Sequence, residues 1–237
     1  MDKKISVCMA TYNGERFIRE QINSILPQLR DTDELIISDD GSTDKTLEIV
    51  REIADKRIKL FYNNAHNFTK NFENAISKST GDIIFLCDQD DVWKNNKVEV
   101  MMSYLSEYDL VISNATIVDG MRNEIMPEYF KYSKVKQGFV YNLLYTRYIG
   151  ACMAFNRKIL HKVLPFPNNK LIPHDYWIAC ISELYYNTYL INEPLIEYRR
   201  HELNASSGIF DKSKLTLVDK LRKRIVAILH LIGRFGK

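Results

Sequence analysis

Short apolar runs alternate with stretches of helical period along the first 118 residues. Ile5–Ala10 is apolar at almost every position, the pattern of a strand buried on both faces of a parallel sheet. From Gly14 to Leu29 the residues Phe17, Ile18, Ile22, Ile25, Leu26 and Leu29 recur with a helical period. Glu34–Ser38 reads as a second strand ending in Asp39-Asp40-Gly41-Ser42. Ser42 is placed to cap a helix whose buried face is Leu47, Ile49, Val50 and Ile53. Ile58–Tyr62 is the third strand, Phe68–Ser79 the third helix with Gly81 as its stop, and Ile83–Cys87 the fourth strand. Strands separated by helices predict βαβ units, hence an α/β, Rossmann-like, mostly parallel sheet with helices on both faces. Right-handed crossovers bring the carboxyl ends of the strands to one edge, where ligands of such sheets bind.

The later pattern is less regular. Leu110–Val118 reads as a strand, Gly120–Gly138 as a mobile, tyrosine-rich connection and Phe139–Tyr145 as a short helix. Ala151–Phe155 is a buried strand, His174–Tyr185 a helix opening with His-Asp, and Tyr189–Arg199 contains a last strand. His201 and a polar loop with Asn204, Ser206, Ser207 and Gly208 follow. The expected organisation is one domain over 1–208, divided into a nucleotide-binding half (1–118) and an acceptor half (119–208). A basic amphipathic helix over 209–237 completes it.

Composition and charge sharpen this picture. With 237 residues, 46% hydrophobic and 27% charged, the chain has the apolar content of a folded protein rather than a disordered one. Its four cysteines are too few and too scattered for a disulfide scaffold or a CxxC metal site, and read as buried thiols in a reducing cytosol. The net charge of +3 is unevenly spread. Residues 212–237 hold eight bases and one acid (+7), leaving 25 bases and 29 acids (−4) for the rest. The basic balance thus belongs to a tail on a slightly acidic body, the whole-chain charge is no argument for a nucleic-acid partner, and none is expected. The N-terminal apolar run is too short for a signal peptide, and no run approaches the roughly 20 apolar residues that span a bilayer.

The candidate chemistry lies in three loops expected at one edge: Thr11-Tyr12-Asn13-Gly14, Asp39-Asp40-Gly41-Ser42 and Asp88-Gln89-Asp90-Asp91. Like charges this close oppose one another's ionisation. A hard divalent cation, typically bound by one or two carboxylates and substrate phosphates, relieves that cost. Taken singly, each acidic loop reads equally well as a solvated turn or a helix cap.

As an ordered set, Ser6–Gly14, Asp39–Asp44 and Asp88–Trp93 resemble the family-2 glycosyltransferases of GT-A fold. Tyr198-Arg199-Arg200-His201 with Asn204 is similar to members that build bacterial surface polysaccharide, rhamnosyltransferases included. The resemblance implies that Thr11, Tyr12, Asn13, Asp39 and Asp40 hold the nucleotide of a nucleoside-diphosphate sugar, with Tyr12 on the base. It implies that Asp88 approaches the ribose, that Arg199 and Arg200 contact phosphate, and that Asp90 and His201 ligate Mn²⁺ or Mg²⁺, with Asp91 as an alternative or supporting acid. Asp175, beginning its helix, stands where the family has its general base; its plainer role is to favour the positive end of that helix. His174 replaces the commoner acid before it.

The implied reaction is an inverting transfer of a hexosyl or rhamnosyl group to a glycan or lipid-linked glycan. A nucleotidyltransferase would want a Gly-rich basic phosphate loop, which Thr11–Gly14 is not. A non-catalytic nucleotide-sugar or glycan-binding module would keep the fold without needing Asp175. In the tail, Leu217, Val218, Leu221, Ile225, Ile228, Leu229 and Ile232 recur at helical spacing with bases between them. That pattern suits an anionic membrane surface, the body of the domain or an oligomer. The expected location is cytoplasmic, peripheral on the inner face of the cell membrane.

Overall fold

Every residue of the second and fourth strands is buried, so both faces of the sheet are covered there. The computed structural model describes residues 3–145, 147–202 and 216–234. In chain order the elements are β1 (Ile5–Thr11), α1 (Ile18–Ile25), β2 (Glu34–Asp39), α2 (Thr46–Ile53), β3 (Ile58–Tyr62), α3 (Phe68–Lys78), β4 (Ile83–Cys87), β5 (Val92–Trp93) and α4 (Lys97–Tyr104). There follow β6 (Leu110–Val118), β7 (Glu124–Met126), α5 (Tyr129–Ser133), α6 (Phe139–Tyr145), β8 (Met153–Asn156), α7 (Leu160–Val163), α8 (His174–Tyr185), β9 (Thr188–Arg199) and α9 (Leu217–Ile232). One sheet runs in the order β3-β2-β1-β4-β8-β6-β9-β5, with β7 on the side of β6. The long ladders are parallel: β1 with β2 and β4, β2 with β3, β6 with β9. Shorter antiparallel ladders add β8, β5 and β7. The expected α/β architecture is present, and each antiparallel ladder takes at least one strand from residues 119–208.

Local differences have local causes. α2 begins at Thr46 because the Ser42 hydroxyl donates to Asp39 Oδ2 at 2.5 Å and leaves no cap; Asp44 Oδ1 accepts the Thr46 N–H at 3.0 Å instead. Gly81 does not stop α3, which ends at Lys78. It permits a close crossing, since a Cβ there would lie 2.6 Å from the Ser6 backbone nitrogen. The connection 120–138 is partly regular: an Asp119 turn returns the chain as β7, and Tyr129 and Phe130 of α5 enter the core. Gly150–Cys152 forms a 3₁₀ turn, so the strand expected from Ala151 starts at Met153.

The C-terminal helix sits against the body with Lys223, Arg224 and, just after the helix, Arg234 turned inward and Arg222 exposed. Arg224 bonds the Leu144 carbonyl, Arg234 bonds the carbonyls of Leu164 and Pro165, and the Lys223 ammonium lies 3.9 Å from the Tyr176 ring centroid. Leu217, Val218, Leu221, Ile225, Ile228, Leu229 and Ile232 face outward, 41–84% exposed. Among the described residues no helix is long and apolar enough to cross a membrane. The motif position Asn204 and residues 209–215 and 235–237 of the tail lie outside the described residues.

Candidate functional site

The loops leaving β1, β2 and β4 are bonded to one another directly. Asn13 adopts a left-handed conformation (φ 48°), which a short polar side chain tolerates. Its N–H donates to Ser42 Oγ at 2.8 Å, and its Oδ1 accepts the Thr43 N–H at 2.9 Å. Asp39 closes its own turn: Oδ1 accepts N–H groups of Gly41 and Ser42 at 3.1 and 2.9 Å, and Oδ2 accepts the Thr11 hydroxyl at 3.0 Å. Asp40 accepts the backbone N–H groups of Ala65, His66 and Asn67 at 2.8, 3.1 and 2.7 Å.

Gln89, to which the sequence assigned nothing, clasps the first loop at two points. Its Oε1 accepts the Tyr12 N–H and its Nε2 donates to the Tyr12 carbonyl, each at 2.9 Å. A Cβ on Gly14 would lie 2.4 Å from Gln89 Oε1, so only glycine lets this clasp close undisturbed.

The acid loop is sorted by depth. Asp90 Oδ2 lies 2.8 Å from His201 Nε2, which joins two residues expected to share a metal across 111 positions of sequence. Asp91 is fully buried. Its Oδ1 accepts the Arg199 N–H at 2.9 Å, and its Oδ2 has no hydrogen-bond partner among the described residues. Burial, then the charges of Asp90 and Asp88, push the Asp91 carboxyl well above the usual range. Burial raises Asp88 to about 7, with the charges of Asp90 and Asp175 adding to it and Lys97 opposing. That influence brings Asp175, from a distant helix, into the same electrostatic site.

Two cations brace this loop. Lys97 is fully buried, donates to the Ala151 carbonyl at 2.8 Å and sits over the Trp93 ring. Burial lowers its pKa, while nearby Cys152, Cys87, Asp91 and Asp88 hold it up. No sequence signal marked it, because a lysine at a helix start reads as solvated. Arg199 is the correction among the expected ligand contacts. Its guanidinium is buried, donating to the carbonyls of Asp90 (2.7 Å) and Gly120 (3.0 Å) and to Glu20 (2.5 Å), so it sets the loop from behind. Its neighbour Arg200 borders the open space instead.

That space is a cleft of about 1000 Å³. Of the residues singled out in the sequence, Thr11, Tyr12, Asp40, Asp88, Asp90 and Asp175 line it. Asn13 and Asp39 stand behind the wall as ties between loops, and His201 reaches it through Asp90. Asp175 Oδ1 accepts the N–H of Tyr176 at 2.6 Å at the start of α8, the helix-end contact that the plainer reading foresaw, while its carboxylate still borders the cleft. Among the described residues no three His, Cys, Asp or Glu side chains cluster to hold a metal by themselves. The Asp90 carboxylate suits Mn²⁺ or Mg²⁺ where phosphate oxygens and water complete the coordination, and the His201 imidazole nitrogen matches Mn²⁺ better than the harder Mg²⁺.

The comparisons with known proteins bear on the family and the fold. The family model described as glycosyl transferase family 2 matches residues 6–164. An uncharacterised glycosyltransferase of Haemophilus influenzae is 29% identical over 240 residues, covering 98% of this chain and 93% of the relative. The Escherichia coli UDP-Glc:alpha-D-GlcNAc-diphosphoundecaprenol beta-1,3-glucosyltransferase WfgD is 29% identical over 246 residues, covering 98% and 92%. The Staphylococcus aureus TarS 1-349 structure in complex with UDP-GlcNAc aligns with a TM-score of 0.72 at 19% identity, over 98% of this chain and 69% of that one. Mannosyltransferase PcManGT from Pyrobaculum calidifontis, in complex with GDP-Man and Mn²⁺, aligns with a TM-score of 0.62 at 23% identity, over 82% and 55%. At these identities the two structures speak for the GT-A fold alone.

Proposed function

The chain belongs to glycosyl transferase family 2, and on that premise we propose that it moves a hexosyl or rhamnosyl group, with inversion, from a nucleoside-diphosphate sugar to a lipid-linked glycan during surface polysaccharide synthesis. One observation carries the reading. Asp88, the Asp90–His201 pair and Asp175 come from separate stretches of chain to one site, near enough for Asp90 and Asp175 to raise the Asp88 carboxyl.

In this reading Thr11, Tyr12 and Asp40 wall the nucleotide, with Tyr12, half exposed, stacking on the base. Asn13 and Asp39 keep that wall in register, and Asp88 meets the ribose. Asp90 and His201 hold the divalent cation, which when bound supplies Lewis-acid stabilisation of the departing diphosphate. Arg200 borders the cleft and offers a guanidinium to phosphate oxygens. Asp175 takes the proton of the acceptor hydroxyl as that oxygen attacks the anomeric carbon opposite the leaving diphosphate. One displacement with one base gives inversion.

The acceptor and location follow from α9 and from a relative. WfgD, by its name, acts on a diphosphoundecaprenol-linked sugar. An outward apolar stripe on α9, with Arg222 exposed beside it, suits the inner face of a cell membrane, where such an acceptor resides. The test is a panel of nucleotide-sugars with Mn²⁺ or Mg²⁺, scored by nucleoside diphosphate release with and without polyprenyl-diphosphate-linked sugars. Turnover unchanged in Asp175→Asn overturns the assigned base, and turnover undiminished in excess chelator overturns the metal.

A further inference from the structure

The clasp between Gln89 and Tyr12 stands where the sheet stops pairing. β1 and β4 are in register as far as Met9 and Cys87, and beyond that pair the two chains part into the nucleotide-facing loop and the acid loop. Gln89 continues the pairing with a side-chain amide. Its Oε1 accepts the Tyr12 N–H and its Nε2 donates to the Tyr12 carbonyl, each at 2.9 Å. Only this orientation of the amide satisfies both ends, because its oxygen only accepts and its nitrogen only donates.

The same loop is tied on its other side to the segment after β2. The Asn13 N–H donates to Ser42 Oγ at 2.8 Å, and the Gly14 N–H donates to Thr46 Oγ1 at 2.7 Å. All of these bonds hold main chain. The Tyr12 ring is left 50% exposed at the cleft wall, fixed from behind and open in front. Gln89 borders that cleft too, between Asp88 and Asp90 in sequence. Gly14 does not adopt a left-handed conformation, so its backbone alone would accept alanine. The clasp is what excludes a side chain there, since a Cβ would stand 2.4 Å from Gln89 Oε1.

A planar ligand that stacks on an aromatic face already held in place does not bear the cost of ordering it. We propose that Gln89 is a positioning residue for nucleotide recognition: by holding the Tyr12 main chain, it fixes the ring as a stacking face for the nucleotide base. The inference rests on the reading of the cleft as a nucleotide-sugar site.

The test compares wild type with Gln89→Met, which keeps the length of the side chain and deletes both hydrogen bonds. Gly14→Ala is the second variant; it presses on the amide and leaves the acid loop intact. The probes are UDP, GDP and dTDP with Mn²⁺, then the matching nucleoside and inorganic diphosphate as the two halves of whichever binds. In Gln89→Met the KM for nucleotide-sugar and the inhibition constant of the nucleoside should each rise about tenfold, the range of two lost hydrogen bonds. The kcat, the inhibition constant of inorganic diphosphate and the melting temperature should stay near wild type. Gly14→Ala should show the same split. Because Gln89 acts through Tyr12, Gln89→Met should add less than about twofold in a Tyr12→Ala background. Wild-type nucleotide affinity in Gln89→Met overturns the proposal. So does a loss shared equally by nucleoside and inorganic diphosphate, a full tenfold loss on top of Tyr12→Ala, or a fall in kcat and melting temperature with KM unchanged. The cleft reading fails separately, if wild type binds none of the three nucleotides.

Discussion

The acid-lined cleft and α9 both turn charge toward the protein, and they satisfy it in opposite ways. At the cleft, Asp88 and Asp90 with Asp91 buried behind them stand near Lys97, and burial first, then the neighbouring acid charges, drives the Asp88 and Asp91 carboxyls upward in pKa. On α9 the inward bases are seated on protein groups: Arg224 on Leu144, Arg234 on Leu164 and Pro165, Lys223 over Tyr176. Buried charge without enough balancing charge points to something that binds there. Buried charge that is well seated turns attention to the opposite face, which on α9 is a stripe of exposed leucine, isoleucine and valine.

The largest effect that would sharpen this contrast is expected at Asp175. Asp175→Asn should lower turnover by about 10²–10⁴ while nucleotide binding, read by calorimetry, persists. Equal turnover in the variant would reduce the cleft to a binding surface. Asp90→Asn should come next, with metal-stimulated turnover falling about a hundredfold and the response of the melting temperature to Mn²⁺ plus nucleotide lost. A variant that still responds to Mn²⁺ in that assay would break the link between unbalanced acid and bound cation.

A smaller effect concerns pH. His174 has a folded pKa near 4, below the ordinary 6.5, so the unfolded chain takes up its proton first on acidification. Its contribution is complete above about 6.5 and is lost between there and 4, amounting to about 2 kcal/mol at pH 5. Chemical denaturation at pH 7 and pH 5 checks this: His174→Phe should lose less stability than wild type over that interval. The smallest effect belongs to α9. Leu221→Glu with Ile225→Glu should weaken binding to anionic vesicles about tenfold, with the melting temperature and turnover of a water-soluble acceptor nearly unchanged. Vesicle binding that survives the double substitution, or a dimer that dissociates with it, would give the stripe another partner.

The legibility of the chain follows the same divide. The βα half was readable because strands buried on both faces announce themselves as apolar runs, and β6, α6 and α8 matched their patterns end to end. The order of the acidic loops put Asp88 and Asp90 at the sheet edge, while Asp175 was pointed to by the family resemblance alone. What escaped was long-range pairing: Gln89 with Tyr12, Lys97 under the acids, Arg199 behind the loop instead of against phosphate. No local spacing encodes which distant backbone a side chain will meet. Helical period likewise gave α9 two faces without saying which would turn inward. That choice depends on carbonyls at 144, 164 and 165, far away in sequence.

The Asp90–His201 pair also has a consequence in time. β9 lies between β6 and β5, both of which leave the ribosome earlier, and His201 follows immediately after it. An emerging chain therefore carries an empty slot in its sheet, and only one of the two residues of the pair until residue 201 has been added. Closing that slot is a late, long-range step of the kind that folds slowly. A chain truncated before β9 would hold the nucleotide-facing loops and still have no complete reaction centre.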